Sequence, residues 1–536
     1  MGAFEWTTPT RRARSRALSP IPIEVYVEIY SYFEPSEETS LADCKRVLSN
    51  LALVCRFFCA HSISRIYRSL EFSGHDASRG HGPFCALLLK STLSGGRPLD
   101  ADVQFAVDVG QFVREVVFKD WLPSDRSIRF ADAFFERDVR AVRLLPNIAR
   151  IHLESTPLSK ALIRTIADLK PTLTTLSLRS CTLESDLTGK QRQKLDALRL
   201  TSLEVLGTSS ISRELPPSTL RLRELDTFRT DSWTLGLFFL KRQHPSLRVL
   251  ELCDVQDLPA LFVFLEKCPT LRELIITKIV RQVDPIPVPV LSPTALPHIE
   301  AITIPPSWLP YFAKRPLRKV SLLGAEARDW QGRDVSVDFF PTLRPLTPTA
   351  LAALTQSTAQ ITELHIPQHV YFAVPLHEHL ARLEVLGLAY RHPNFPQGPA
   401  HGRFSEDVGD RFRMVVPFTD VRQDLDGAIT AICAEWPSST PVHELRLDFG
   451  FVLASANTSV CDLQHQARLV ERLSLTFPDL RRVSFARFFV WVRAGDRAPS
   501  AWRVFVPHVH RQAVRDALAR GQHFTDFGAC FGGTEW

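Results

Sequence analysis

KRQHPSLRVLEL (241–252) and EKCPTLRELII (266–276) decide how this chain is read. After Pro245 and Pro269, each carries a leucine and then apolar residues at the fourth and sixth places of the form L-x-x-L-x-L. Alternation of that kind marks a strand with one buried face. The prolines stand where a preceding helical stretch, such as LPALFVFLEKCP (258–269), stops and turns into the strand.

The phrase recurs along the chain. It reads VREVVF at 113, IARIHL at 148, LTTLSL at 173, LEVLGT at 203, LRELDT at 222 and IEAITI at 299. Further copies are LRKVSL at 317, ITELHI at 361, LEVLGL at 383, VHELRL at 442 and LRRVSF at 480. Most central spacings fall between about 18 and 30 residues, which brackets the period of leucine-rich repeats. One strand and one helix cannot bury their shared apolar side alone, whereas stacked copies bury it continuously. The expected class is therefore α/β: an irregular leucine-rich-repeat solenoid over 111–487, with a curved parallel sheet inside and helices outside.

In this reading the fourth and sixth places enter the core, and the odd places face the concave side. That side would carry Arg150, His152, Glu154, Thr175, Ser177, Arg179, Glu224, Asp226 and Phe228. Val249, Glu251, Cys253, Glu273, Thr277, Lys319, Ser321, Glu363, His365, Glu444, Arg446, Asp448 and Arg482 continue it. Any one of these reads equally as a solvated strand position; only the collective surface suggests a protein-binding site. The mix of signs lacks the stacking aromatics and unbroken basic stripe of a nucleic-acid groove.

The rhythm breaks twice. Residues 323–360 hold a longer excursion with a helix expected near 348–358. Residues 390–440, rich in Gly, Pro and charge, read as a surface insertion. The end, 488–536, differs again. Apolar alternation on both sides of GDRAPS suggests a hairpin, and HRQAVRDALARG suggests a helix over 510–521, together a cap for the stack.

The chain opens differently. Residues 1–19 read as a disordered basic tail, in which RRARSR (11–16) is a solvated run or, alternatively, a nuclear address. PIPIEVYVEIYSYFEP (20–35) starts on prolines that suit a first helical turn and stops at Pro35. Val25, Tyr26, Ile29, Tyr30, Tyr32 and Phe33 cover an arc of roughly 160° opposite Glu24, Glu28 and Ser31. EPSEETSLADCKR reads as a polar turn, and LSNLALVCRFFCAHSISRIYRSLEF (48–72) as two more helices. A module of 20–72 is too small to bury this much apolar surface, and surplus of this kind usually marks a docking face. Residues 73–110 would join it to the repeats.

Ile21-Pro22-x-Glu24-Val25-x-x-x-Ile29-x-x-x-Phe33 followed by Leu51-Ala52-Leu53-Val54-Cys55-Arg56-x-Phe58 resembles the F-box motif, L-P-x-E-hydrophobic and later LVCRxW. Ile21 stands for the usual Leu and Phe58 for the usual Trp, and the spacer is a few residues longer than the commonest form. The resemblance covers about a tenth of the chain. It implies a three-helix F-box-like module that binds the Skp-type adaptor of a cullin–RING ubiquitin ligase, with Pro22, Val25, Ile29, Leu51, Val54 and Cys55 facing the adaptor. The repeats would then hold an unidentified protein substrate, as in the fungal F-box-like families the chain resembles. A plain helical cap on a repeat domain is the simpler alternative.

Composition agrees with a folded chain: 536 residues, 45% hydrophobic, 23% charged, formal net charge +6. No apolar run reaches the length of a membrane span, and the first residues hold no secretory h-region. The ten cysteines are scattered singly, as buried thiols of a reducing compartment would be, so cytoplasm or nucleus is expected. Cys55-x-x-x-Cys59-x-His61 lacks the second ligand pair a zinc site needs. LTGKQR is short of a phosphate loop, and there is no G-x-S-x-G or H-E-x-x-H. His377-Glu378-His379 is too closely spaced to place both imidazoles on one helix face. The sequence thus predicts a non-catalytic substrate receptor without cofactor, metal, nucleic-acid or membrane partner. The alternatives are a repeat scaffold outside any ligase and an enzyme without a familiar motif.

Overall fold

The computed structural model describes residues 23–36, 39–54, 56–74, 81–93, 97–122, 131–184, 186–207, 224–242, 244–255, 257–280, 291–304, 308–322, 326–328, 353–367, 380–390, 426–449, 462–485, 489–493, 502–511 and 514–515, apart from 381, 428 and 435. The basic tail, most of the region 390–440 and most of the helix expected at 510–521 lie outside these residues. The chain is mixed α/β, with a mostly parallel sheet, and divides into two compact units. One is Met1–Arg272 with Ile286–Leu296; the other is Glu273–Pro285 with Pro297–Trp536.

The first unit opens with helices α1 (Ile23–Ser31), α2 (Leu41–Ala52) and α3 (Arg56–Ile66). Helix α2 begins seven residues before the expected start at 48, inside the stretch expected to be a turn. The cause is a local cap: Ser40 Oγ accepts from Asp43 N at 3.1 Å and pairs with Asp43 Oδ2 at 2.7 Å. The apolar arc of α1 splits in two. Tyr26, Tyr30 and Phe33 turn inward, four and three residues apart, which one helical face allows. Tyr30 is buried, its ring edge-on to His61 at 4.0 Å and its hydroxyl 3.2 Å from Ser62 Oγ. Tyr26 meets Phe58 edge-on at 6.0 Å. Burial, aided by Arg65, pushes the His61 imidazole down to about 4, so it is neutral in this core at pH 7.

A parallel ladder follows, β1 (Ser69–Ser73), β2 (Glu115–Lys119), β3 (Arg150–Glu154), β5 (Thr175–Arg179), β7 (Ser202–Leu206), β8 (Thr227–Thr230) and β9 (Val249–Val255), each paired with the next. The short strands β4 (Pro157–Leu158) and β6 (Thr182–Leu183) pair beside it. Strand β1 was expected as the end of a helix; it is a rung of the ladder, Leu70 and Phe72 facing the core.

One backbone device repeats from rung to rung. The carbonyl of the residue just before each strand accepts from two successive N–H groups of the next copy. Arg68 O takes Arg114 N and Glu115 N at 2.9 and 3.1 Å; Arg114 O takes Ala149 N and Arg150 N at 2.8 and 3.0 Å; Ala149 O takes Thr174 N and Thr175 N at 2.9 and 3.0 Å. Thr174, Thr201 and Asp226 carbonyls do the same. This register corrects two copies. Leu203 pairs with Leu176 and Phe228 with Leu203, so the anchors are Leu200 and Leu225 rather than Leu203 and Leu222. In LRLTSLEVL either leucine satisfies the pattern; what decides is that Leu198, Leu200 and Leu203 are all buried in this arrangement.

Helices α4 (Gly82–Ser91), α5 (Ala101–Gly110), α6 (Ala131–Val142), α7 (Lys160–Asp168), α8 (Gly189–Asp196), α9 (Trp233–Leu240) and α10 (Leu258–Leu265) accompany the strands. Ser159, Thr188, Ser232 and Asp257 cap α7 to α10. Fourth- and sixth-place side chains meet the helices: Phe228 stacks on Phe239 at 3.9 Å, and Phe118 meets Phe135 edge-on at 5.6 Å. Past the strands the chain needs positive φ at Asp120 (56°), Ser155 (45°), Ser180 (51°) and Gly207 (65°), each the eighth place of its copy. Gly74 holds that place in the first rung, packed against the Asp120 carbonyl.

The second unit holds β10 (Glu273–Val280), β11 (Ala301–Thr303), β12 (Lys319–Ser321), β13 (Glu326–Arg328), β14 (Glu363–Pro367), β15 (Val385–Tyr390), β16 (Glu444–Phe449) and β17 (Arg482–Phe485), all in parallel pairings. The double-acceptor carbonyl returns at Glu300, Arg318, Thr362, Glu384 and His443. Strands β18 (Phe489–Arg493) and β19 (Trp502–Phe505) form the expected antiparallel hairpin on β17. Helices α11 (Leu309–Phe312) and α12 (Leu463–Thr476) pack here, Trp491 Nε1 donating to Gln466 Oε1 at 2.8 Å. Of the helix expected near 348–358, the described residues show a single 3-10 turn, Leu354–Gln356. The end of the expected surface insertion is instead core: Ile429 and Ile432 on a helical stretch, and Trp436 after it, are buried at helical spacing.

A β-carbon at Gly74 would overlap the Asp120 carbonyl, whereas one at Gly189 meets nothing. Gly74→Ala is expected to cost about 1–3 kcal/mol in urea unfolding. Gly189→Ala, at an open helical position, should be neutral or raise stability by up to about 1 kcal/mol.

Candidate functional site

Two surfaces stand out. The first is the outward half of the helical trio. Val25 and Ile29 are each 44% exposed, Val54 66%, Tyr32 75% and Leu53 87%, while Leu51 is half-buried. Val25 and Ile29 lie on α1, Leu51 in the last turn of α2, and Leu53 and Val54 in the turn between α2 and α3. Full burial of an exposed aliphatic side chain is worth about 1.5–3 kcal/mol, and these residues forgo a part of that set by their exposure. Pro22 and Cys55, also expected on this face, lie outside the described residues.

The second surface is the sheet face opposite the helices. In the first unit, third-, fifth- and seventh-place side chains pair across strands. Arg150 meets Glu115 at 2.8 Å, His152 lies 3.4 Å from the same carboxylate, Arg179 pairs with Glu204, Lys119 with Glu71, and Arg229 with Glu251 at 3.5 Å. Burial pushes the His152 imidazole down, against the pull of Glu115. Glu154 is exposed at the seventh place. The corrected register removes three expected members. Glu224 lies before the strand, Asp226 sits at the second place and pairs with Arg248 at 3.2 Å, and Phe228 is core. Thr227 and Arg229 take their places. Glu204 and Arg229 were missed for this reason alone, and anchoring on Leu200 and Leu225 would have found them.

In the second unit, Lys319, Glu363, His365, Glu444 and Arg446 come together, joined by Arg482. Three donors converge on Glu363 Oε1: His365 Nε2 at 2.6 Å, Lys319 Nζ at 3.0 Å and an Arg446 guanidinium nitrogen at 3.2 Å. Arg446 Nε and Arg482 Nε hold Glu444 Oε1 at 2.7 and 3.2 Å. Arg446 lies on β16 and Glu363 on β14, so its side chain crosses β15 at Gly387. A β-carbon there would overlap the His365 ring. The missing side chain therefore lets both the imidazole and the guanidinium lie over the strand. Glu273 is half-buried on β10, and Asp448 is on β16.

A search of protein-family models finds no match, and a search of curated proteins finds none either. The surfaces are thus interpreted from their chemistry. One offers apolar contact area; the other offers fixed ion pairs whose partners are half in water, suited to recognition of another charged surface. Among the described residues no group of three metal-ligating side chains gathers, and no helix is long and apolar enough to cross a membrane.

Hydrogen bonding from His365, together with Lys319, pulls the Glu363 carboxyl from its ordinary 4.5 to about 2. A carboxyl lowered on folding stabilises the fold above its ordinary value and loses that contribution as pH falls through the folded one. Melting temperatures of the parent and Glu363→Gln should differ most above pH 4.5 and converge toward about pH 2.

Proposed function

We propose that this chain is the substrate-recognition subunit of a cullin–RING ubiquitin ligase. The N-terminal trio acts as an F-box, docking the Skp-type adaptor, and the ladder acts as an irregular leucine-rich-repeat array that holds a protein target. The observation that carries this reading is the exposure of Val25, Ile29 and Val54, three residues whose motif positions face the adaptor in the F-box resemblance. Apolar side chains left outside a buried aromatic core gain most when a second polypeptide covers them.

The chain forms or breaks no bond in this scheme. It raises rate by presenting a target lysine to the charged conjugating enzyme at high effective concentration. Such a receptor works in the cytoplasm or nucleus. A repeat scaffold outside any ligase is the second reading; a degraded motif would favour it, and the replacements here, Ile21 for Leu and Phe58 for Trp, are conservative.

Adaptor capture by the full chain separates the two. Wild type should bind the purified Skp-type adaptor. Val25→Asp and Ile29→Asp should each weaken binding about tenfold or more, since a charge would be driven into a desolvated contact, with little change in melting temperature. Absence of binding by wild type refutes ligase coupling and leaves the scaffold.

A further inference from the structure

Lysine and arginine carry the same charge, but only lysine is a nucleophile. Its amine has a pKa of about 10.4 and is free in small part at neutral pH, whereas the guanidinium keeps its proton. The chain uses the two unevenly. Of its 64 lysines and arginines twelve are lysine, and the last of these is Lys319. Residues 320–536 carry 21 arginines and no lysine. Geometry explains only part of this. Arg446 and Arg482 hold carboxylates, a task that suits a guanidinium. Arg382, Arg472 and Arg481 are exposed, at places where a solvated charge of either kind would serve.

The lysines before residue 320 are sorted by face. Exposed ones lie on the helices or just past their ends, as do Lys90 on α4, Lys190 on α8, Lys241 after α9 and Lys314 after α11. Among the described residues, the lysines on the sheet face opposite the helices are Lys119 and Lys319. Each is held by a carboxylate, Lys119 by Glu71 and Lys319 by Glu363 at 3.0 Å. An ammonium group so held is favoured in its charged form, which cannot attack a carbonyl.

We infer that residues 320–536 are kept without lysine so that the charged conjugating enzyme passes ubiquitin to the bound target and not to its receptor. This rests on the proposed ligase function and adds that residues 320–536 come within reach of the enzyme. Transfer breaks the thioester between ubiquitin and the enzyme's cysteine and forms an isopeptide bond to a lysine nitrogen. The ammonium loses two protons in all, one to the departing thiolate and one to solvent. An arginine in the same place offers no free amine for that attack. Because the rate follows effective concentration, a receptor amine nearer the enzyme than the target lysine would be consumed first.

The test combines the full chain with purified adaptor, cullin–RING core, charged conjugating enzyme and ubiquitin, without a target. Isopeptide-linked ubiquitin is then mapped by mass spectrometry. Arg382→Lys, Arg472→Lys and Arg481→Lys in one chain keep the charge, and modification at these places should speed self-ubiquitylation about fivefold or more over the parent. Arg164→Lys, exposed on α7, should leave the rate unchanged. Introduced amines that stay unmodified, or an equal acceleration by Arg164→Lys, overturn the inference. Adaptor capture on the same preparations separates the two readings. Capture with the three introduced lysines unmodified removes this inference alone, whereas no capture removes the ligase reading and this inference with it.

Discussion

A backbone carbonyl that accepts two N–H groups sets the pitch of this protein. It occurs just before the strand in copy after copy, from Arg68 to Asp226 in the first unit and from Glu300 to His443 in the second. Each instance fixes the register of the next rung, and a parallel rung out of register would turn its core side chains to solvent. From Val113 onward the apolar anchors beside these carbonyls are buried, as are the fourth- and sixth-place side chains beyond them. Side chains at the odd places lie off that core, and many of them carry charge.

That freedom is used in different ways. In the first unit cations and carboxylates are paired nearly one for one across neighbouring strands. In the second they are concentrated around Glu363 and Glu444, and one pairing skips a strand. Exposed pairs of this type add at most about 1 kcal/mol each to stability. Their larger effect is to hold long side chains in one arrangement, which favours a partner of matching charge pattern. The N-terminal trio follows the opposite logic. Tyr26, Tyr30 and Phe33 make a core, and the rest of the same helix keeps Val25, Ile29 and Tyr32 in water.

Much of this was legible in the sequence because one short pattern recurs. Period-two alternation located nearly all parallel strands, and the twofold division of α1 followed from its excess of apolar residues. Three kinds of feature were not legible. Where leucines crowd, as at Leu198, Leu200, Leu203 and Leu206, the pattern fits two registers and only packing chooses between them. The Ser40–Asp43 cap sits inside a polar run that composition alone reads as a turn. The Glu363 cluster joins residues more than eighty positions apart, and the decisive member, Gly387, has no side chain to signal its role.

Gly387 has a bearing on how this protein can change over time. The imidazole of His365 occupies the volume that any larger residue at 387 would need. A lineage can enlarge position 387 only after shrinking position 365, and the reverse order passes through a clashing intermediate. The two sites, on neighbouring strands and 22 positions apart, are therefore bound to substitute in a fixed sequence of events. Loss of that histidine would open the route and at the same time release Glu363 from its closest donor.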